Sequence, residues 1–403
     1  MAVKKKIYQE GGIALMNRRK QPACRELVGW EIKKLCAVPM MYVFVFLCIG
    51  FNILLILGSR YGEDYVAYVR EARQTTGSRM GARFQEQAKK LPDSEEKKRL
   101  LSETEGAEDI FETYDAGETA WLLISRYRVK GWVADALERK YQKQEQRVQE
   151  LAMEDASMDV GAAGMTKTLF DMLFWQLCRA VITEGLLLAV FAALYICGCE
   201  QMERTWQTVY ASKRGRQVQR EKFCAGLLCA LAAYGVTAAV SCGVFAGVWR
   251  LGEIWETNMS AQFYFISSMG VKLPFISWAD FTMRSYLAAV LALGAVVAVV
   301  FYLLGYLAGL LAKNSYVGFT VLFVLCALNF EIVLLAGDQG RWGIYEAALW
   351  TPVFFWWSHP LWFSDMGINA VVPWQECIAG ALCVAKAAVL LIWGFRHFYR
   401  KDL

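Results

Sequence analysis

Six apolar runs, each about as long as a helix that crosses a bilayer, constrain this chain more than anything else in it. They fall at 38–58, 173–199, 224–248, 285–312, 316–336 and 374–395. A hydrocarbon core of roughly 30 Å takes about 20 residues at about 1.5 Å each. Lipid offers no hydrogen bonds, so each backbone polar group must be satisfied inside the segment, and such runs are helices. The chain therefore reads as an all-α polytopic membrane protein with six transmembrane helices. Composition agrees: 56% of the 403 residues are hydrophobic and mean hydropathy is +0.29, against about 45–50% apolar in average soluble domains.

The segments between the runs differ in character. Residues 1–37 form a basic arm carrying Lys4, Lys5, Lys6, Arg18, Arg19 and Lys20. Within it "CRELVGWEIKKLCA" puts Leu27, Val28, Ile32, Leu35 and Cys36 on one helical stripe. A helix of that kind just before a span is expected to lie in the membrane interface. Residues 59–168 are rich in charges of alternating sign and predict a helical extracytoplasmic domain, with helices over about 63–101 and 118–155. "LPDSEE" marks a break, with Ser94 as an N-cap; an elongated helical hairpin fits this pattern. Outer segments 249–284 and 337–373 are dense in Trp and Phe, as suits a membrane–water boundary. Most of the 12 Cys lie in or beside apolar runs, where they act as small apolar residues, and 59–168 has none. Two His and no CxxC leave no zinc signature. The net charge of +5 is modest and its Lys and Arg sit beside the spans, which argues against a nucleic-acid partner and for lipid.

Lys and Arg accumulate on the cytoplasmic side of short loops. The N-terminal arm, the connector 200–223, the turn at Lys313 and the tail 396–403 with Arg396, Arg400 and Lys401 are all basic. Threading six spans places these four segments on one side. Both termini are thus expected in the cytoplasm of a cell (plasma) membrane protein, with 59–168, 249–284 and 337–373 outside.

The connector, "EQMERTWQTVYASKRGRQVQREKF", is far longer than a turn requires. It reads as helix, Gly-bearing break, helix, a shape suited to docking on a soluble partner. Glu203, Thr205, the run Ser212-Lys213-Arg214-Gly215-Arg216 and Lys222 resemble the cytoplasmic loop of permease subunits of type-2 ATP-binding-cassette (ABC) exporters, particularly those of Gram-positive bacteria. Arg204 stands where that family often has Gly. The layout is similar too: interfacial helix, outside domain between spans one and two, six spans, and a tail with Phe395, Tyr399, Arg400 and Lys401. The resemblance implies a coupling helix seated on an ABC ATPase subunit, with two ATPases and a second permease copy, identical or related. Arg214, Arg216 and Arg220 would touch the ATPase, while Glu203 and Lys222 would brace the helix ends. The chain has no GxxxxGK[ST] phosphate cradle. ATP and Mg are therefore expected on the partner, and no cofactor or catalysis on this chain. The competing expectation is a membrane-anchored sensor or assembly protein that binds an extracellular ligand through 59–168.

Glu184, Glu331 and Lys386 lie within the apolar runs, and Arg179 is expected near the outer interface. At about 1.5 Å per residue, counted from the basic side, the two Glu lie roughly 22–24 Å deep and Lys386 roughly 15 Å. Intramembrane charges usually face one another or a cavity. Lys386 is expected to pair with one Glu, either to fix helix packing or to line a path. Gly243-x-x-x-Gly247 and Gly305-x-x-x-Gly309 predict close helix contacts.

Overall fold

The computed structural model describes residues 24–59, 62–164, 166–211, 215–266, 271–312 and 314–400. An amphipathic helix, α1 (Cys24–Cys36), leads into α2 (Pro39–Gly58). Pro39 sits in the first turn of α2, where its missing N–H costs nothing. Six polar helices follow: α3 (Glu63–Thr76), α4 (Ala82–Ala88), α5 (Glu95–Thr104), α6 (Ile110–Thr113), α7 (Ala116–Tyr127) and α8 (Trp132–Met153). Next come α9 (Thr166–Phe170), a π-helical turn over Asp171–Leu177, and α10 (Cys178–Met202). The short α11 (Trp206–Ala211) precedes α12 (Val218–Trp249). Two strands, β1 (Phe263–Ile266) and β2 (Val271–Pro274), pair antiparallel with Phe263 opposite Pro274. The chain closes with α13 (Met283–Leu311), α14 (Ser315–Asp338), α15 (Trp342–Leu349), α16 (Pro352–Trp357) and α17 (Gln375–Arg400).

Six helices are long and apolar enough to cross a membrane: Pro39–Gly58, Thr168–Met202, Val218–Trp249, Met283–Leu311, Ser315–Asp338 and Gln375–Arg400. The chain is a multi-pass helical membrane protein, and each expected run has its helix. The β1–β2 hairpin departs from a purely α fold. Aromatic and β-branched "FYFI" suits a short strand, and its partner is too near in sequence for a helical period to develop.

The bundle is centred on α10: 67% of its apolar window is buried, against 11% for α14 at the periphery. Small residues bring α10 and α13 together. A Cβ on Gly305 would lie 3.2 Å from Val190 Cα, and one on Gly309 3.0 Å from Cys197 Cβ. Gly243 and Gly247 have nothing within 4 Å of an added Cβ, so that motif packs against no other described part of the chain. On α1, Leu35 is buried, and Val28 and Ile32 pack beside it against α10 and α12. Cys36, expected on the same stripe, is exposed.

Segments 62–164, 249–266, 271–284 and 337–373 gather at one end of the bundle as a single cap. Asp159 holds Arg73 at 3.0 Å, and Arg73 also donates to Thr257 Oγ1 (2.8 Å) and Glu253 O (2.6 Å). Arg147 donates to Ser277 O (2.9 Å), and Trp278 Nε1 to Ser364 O (2.8 Å). The elongated hairpin is therefore corrected. Left-handed Gly77 ends α3, and α4 and α5 follow as separate helices, so no single helix runs through 63–101. Ser94 caps α5 as expected, accepting from Lys97 N at 3.0 Å.

Candidate functional site: the connector and the charges of the spans

The connector begins where α10 stops. Thr205 N donates to Glu200 O (2.9 Å) and Arg204 adopts φ +58°, a helix-ending turn that normally favours Gly at that position. One and a half turns of α11 follow. Ser212, Lys213 and Arg214 lie outside the described residues, as do the basic residues of the arm up to 23, Lys313 and Lys401. Gly215 has φ +53°, and a Cβ there would approach Tyr210 O to 3.2 Å, so both backbone and space call for Gly. Arg216 lies in the turn Gly215–Gln217 that leads into α12.

Buried polar contacts fasten this stretch to the bundle. Lys222 is 1% exposed and forms an ion pair with the buried Glu200 carboxylate. Its Nζ also donates to Ile196 O (3.2 Å) and Cys199 Sγ (3.4 Å). Glu200 lies 3.5 Å from Lys34, and Lys34 pairs with Glu31 at 2.8 Å, so α1 joins the same cluster. Tyr306 donates to Gln219 O (2.7 Å), Tyr302 to Phe223 O (2.7 Å), and Gln219 Nε2 to Tyr210 Oη (3.1 Å). Tyr210 packs edge-on against Phe398 at 6.0 Å.

Of the two residues expected to brace the helix ends, Lys222 pairs with Glu200, and Glu203 is exposed. The reason is helical phase. Ala193, Ile196, Cys197 and Glu200 share the buried face of α10, while Glu203 lies past the helix end in water. That spacing was present in the sequence as a signal. Glu203, Arg204, Thr205 and Arg220 are exposed, and the Arg220 guanidinium stacks 5.9 Å from the Tyr399 ring. Gly215 is half-buried. The structure thus brings Glu203, Arg204, Thr205, Gly215 and Arg220 to the end of the bundle opposite the cap.

The expected pairing of Lys386 with a Glu does not form. Glu184 is 9% exposed and accepts from Asn52 Nδ2 at 2.8 Å. Asn52 also donates to Ser241 Oγ (2.9 Å), which ties α2, α10 and α12 together. Lys386 is exposed on α17 and extends to Trp350 O at 3.4 Å, towards the cap. Its flexible stem lets the ammonium climb to a polar level. Glu331 is exposed on α14, and among the described residues no ion pair joins it to Lys386. Asn52 went unread because one Asn in an apolar run carries no spacing signal.

The cap holds a second polar group. Lys140, 1% exposed, donates to Asp365 O (2.8 Å), Gly367 O (2.6 Å) and Ala370 O (2.9 Å). Burial lowers its ammonium to about 8, against the pull of Asp365 and Glu346. Glu346 is equally buried, neither carboxylate oxygen has a hydrogen-bond partner, and burial pushes it up to about 8. Lys140 holds cap segments in place, and neither group faces the connector.

Compared with known proteins, the chain matches no family, no curated protein and no solved structure.

Proposed function

We propose that the chain is the membrane-spanning permease subunit of an ATP-driven ABC exporter, with both termini and the connector in the cytoplasm of a plasma-membrane protein and the cap outside. The observation that carries this reading is the Glu200–Lys222 pair, fixed with Lys34 and Glu31 where the connector leaves and re-enters the bundle. A loop that merely holds topology has no need of buried ionic anchors. A connector that transmits force does, because displacement of its exposed face must reach α10 and α12 without being absorbed by slack. Glu203, Arg204, Thr205 and Arg220 present polar groups on that face, and the resemblance at 203–222 supplies the partner: an ATPase subunit that binds ATP and Mg. Two such subunits and a second permease copy complete the assembly, and this chain performs no catalysis of its own.

The test is co-purification with the candidate ATPase, comparing the natural chain with one in which Arg214, Arg216 and Arg220 are changed to Glu. The expected result is loss of the complex and of ATPase stimulation. Unchanged binding and unchanged stimulation would overturn the reading.

A further inference from the structure

We propose that the seam between α10 and α14 binds a phosphate-headed amphiphile drawn from the bilayer leaflet next to the cap, with its headgroup on Arg179 and its chain along the seam. Two cavities follow one another along this seam. The upper, of about 530 Å³, lies where the bundle meets the cap and is walled by Trp175, Phe330, Trp342 and Trp357. Arg179 enters it with its guanidinium 4.9 Å from the Trp357 ring and 6.0 Å from Trp175. Among the described residues no carboxylate lies within ion-pairing distance of Arg179. Asp338 is exposed at the same cavity, where water screens it. A guanidinium held between two indoles keeps its hydrogen-bond fork free, and that fork matches phosphate oxygens.

The lower cavity, of about 200 Å³, is lined by Leu186, Leu187 and Val190 of α10, Phe301 of α13, and Leu322 and Phe323 of α14. Its lining is almost wholly apolar. Trp356 joins the two levels, donating from Nε1 to Thr183 Oγ1 at 3.0 Å while its neighbour Trp357 faces the upper cavity. From Arg179 to Val190 the helix rises about 16 Å at 1.5 Å per residue, close to half of a hydrocarbon core of roughly 30 Å. One leaflet's acyl chain therefore fits the run from cation to groove end. The seam is also open sideways, because α14 is the least buried of the six long helices. Trp175 and Trp357 line the cavity at the cap end of the spans, as suits aromatic side chains that meet headgroups. A cation above, an apolar slot below and lateral access together define the ligand class.

This inference concerns binding by the chain alone and does not depend on the exporter reading, since no ATPase enters its test. The purified, delipidated chain in uncharged detergent is titrated with lysophosphatidylglycerol, with a monoacylglycerol of the same chain length, and with glycerol 3-phosphate. Binding is read by native mass spectrometry. The lysolipid is expected to bind at least about tenfold more tightly than either fragment, as loss of a charge-assisted contact or of apolar burial would cost. Arg179→Gln should remove that preference over the monoacylglycerol and Arg179→Lys restore part of it. Leu187→Trp, which fills the groove from a partly exposed position, should weaken the lysolipid and leave glycerol 3-phosphate unchanged; it carries the test by itself if Arg179→Gln does not fold. Equal affinity for the lysolipid and either fragment, or wild-type affinity in Leu187→Trp, would overturn the proposal.

Discussion

Lys222 shows what one buried charge demands of its surroundings. Its ammonium is taken out of water and recovers that loss from Glu200, a carbonyl and a thiol. Removing one member of a buried pair leaves the other uncompensated, at a cost of about 3–5 kcal/mol, whereas removing both is often close to neutral. Lys222→Met should therefore destabilise the detergent-solubilised protein by about that amount, and adding Glu200→Gln should recover most of it. A double variant as unstable as the single one would contradict the pairing. In the cap, Glu346 behaves in the opposite way. Its folded-state value, about 8, lies above the ordinary 4.5. The folded protein then binds the extra proton, so stability is full below about 4.5 and falls as pH rises towards 8, by up to about 1.4 kcal/mol per pH unit. Glu346→Gln removes that slope. Thermal unfolding across this window should show the variant gaining on the natural chain as pH rises; parallel curves would refute it.

Among the elements, the two glycine motifs look alike in sequence and differ in place. Gly309→Leu drives a side chain into Cys197 and should cost about 1–3 kcal/mol by overpacking. Gly247→Leu meets open space within the chain and should leave its unfolding temperature nearly unchanged. Equal losses in a thermal-shift comparison would mean that the α10–α13 contact is not the tight one. The same gap between pattern and partner recurs elsewhere. The length of the apolar runs located every span, because burial in lipid depends on composition over about 20 residues. It did not single out Glu200 as the partner of Lys222, since that depends on which face of α10 meets α12. It placed Glu184, Glu331 and Lys386 at depths but not on faces, so a pair that looked reachable along the axis is separated around it. Arg204 illustrates the point at a single turn: its left-handed backbone follows from the helix stop and the Thr205–Glu200 bond, not from any preference of Arg.

For the whole molecule, the cap and the connector occupy opposite ends of the bundle, and the proposed orientation puts the connector end inside the cell. A reporter cysteine at Lys98, which is 72% exposed, and one at Gln217 test this in a background without the exposed Cys36, Cys224 and Cys377. With an impermeant thiol reagent on intact cells, Lys98→Cys is expected to react and Gln217→Cys only after lysis. The reverse pattern would invert the topology and remove the coupling role. By itself the sequence determined the six spans, because each depends on composition over a local run of about 20 residues. Only the tertiary structure decided that three separate segments form one cap, that Glu200 is the anchor of Lys222, and that Arg179, above an apolar seam, has no ion pair among the described residues. Those facts rest on contacts between residues far apart in the chain, and the period of a single helix does not record which neighbour its faces will meet.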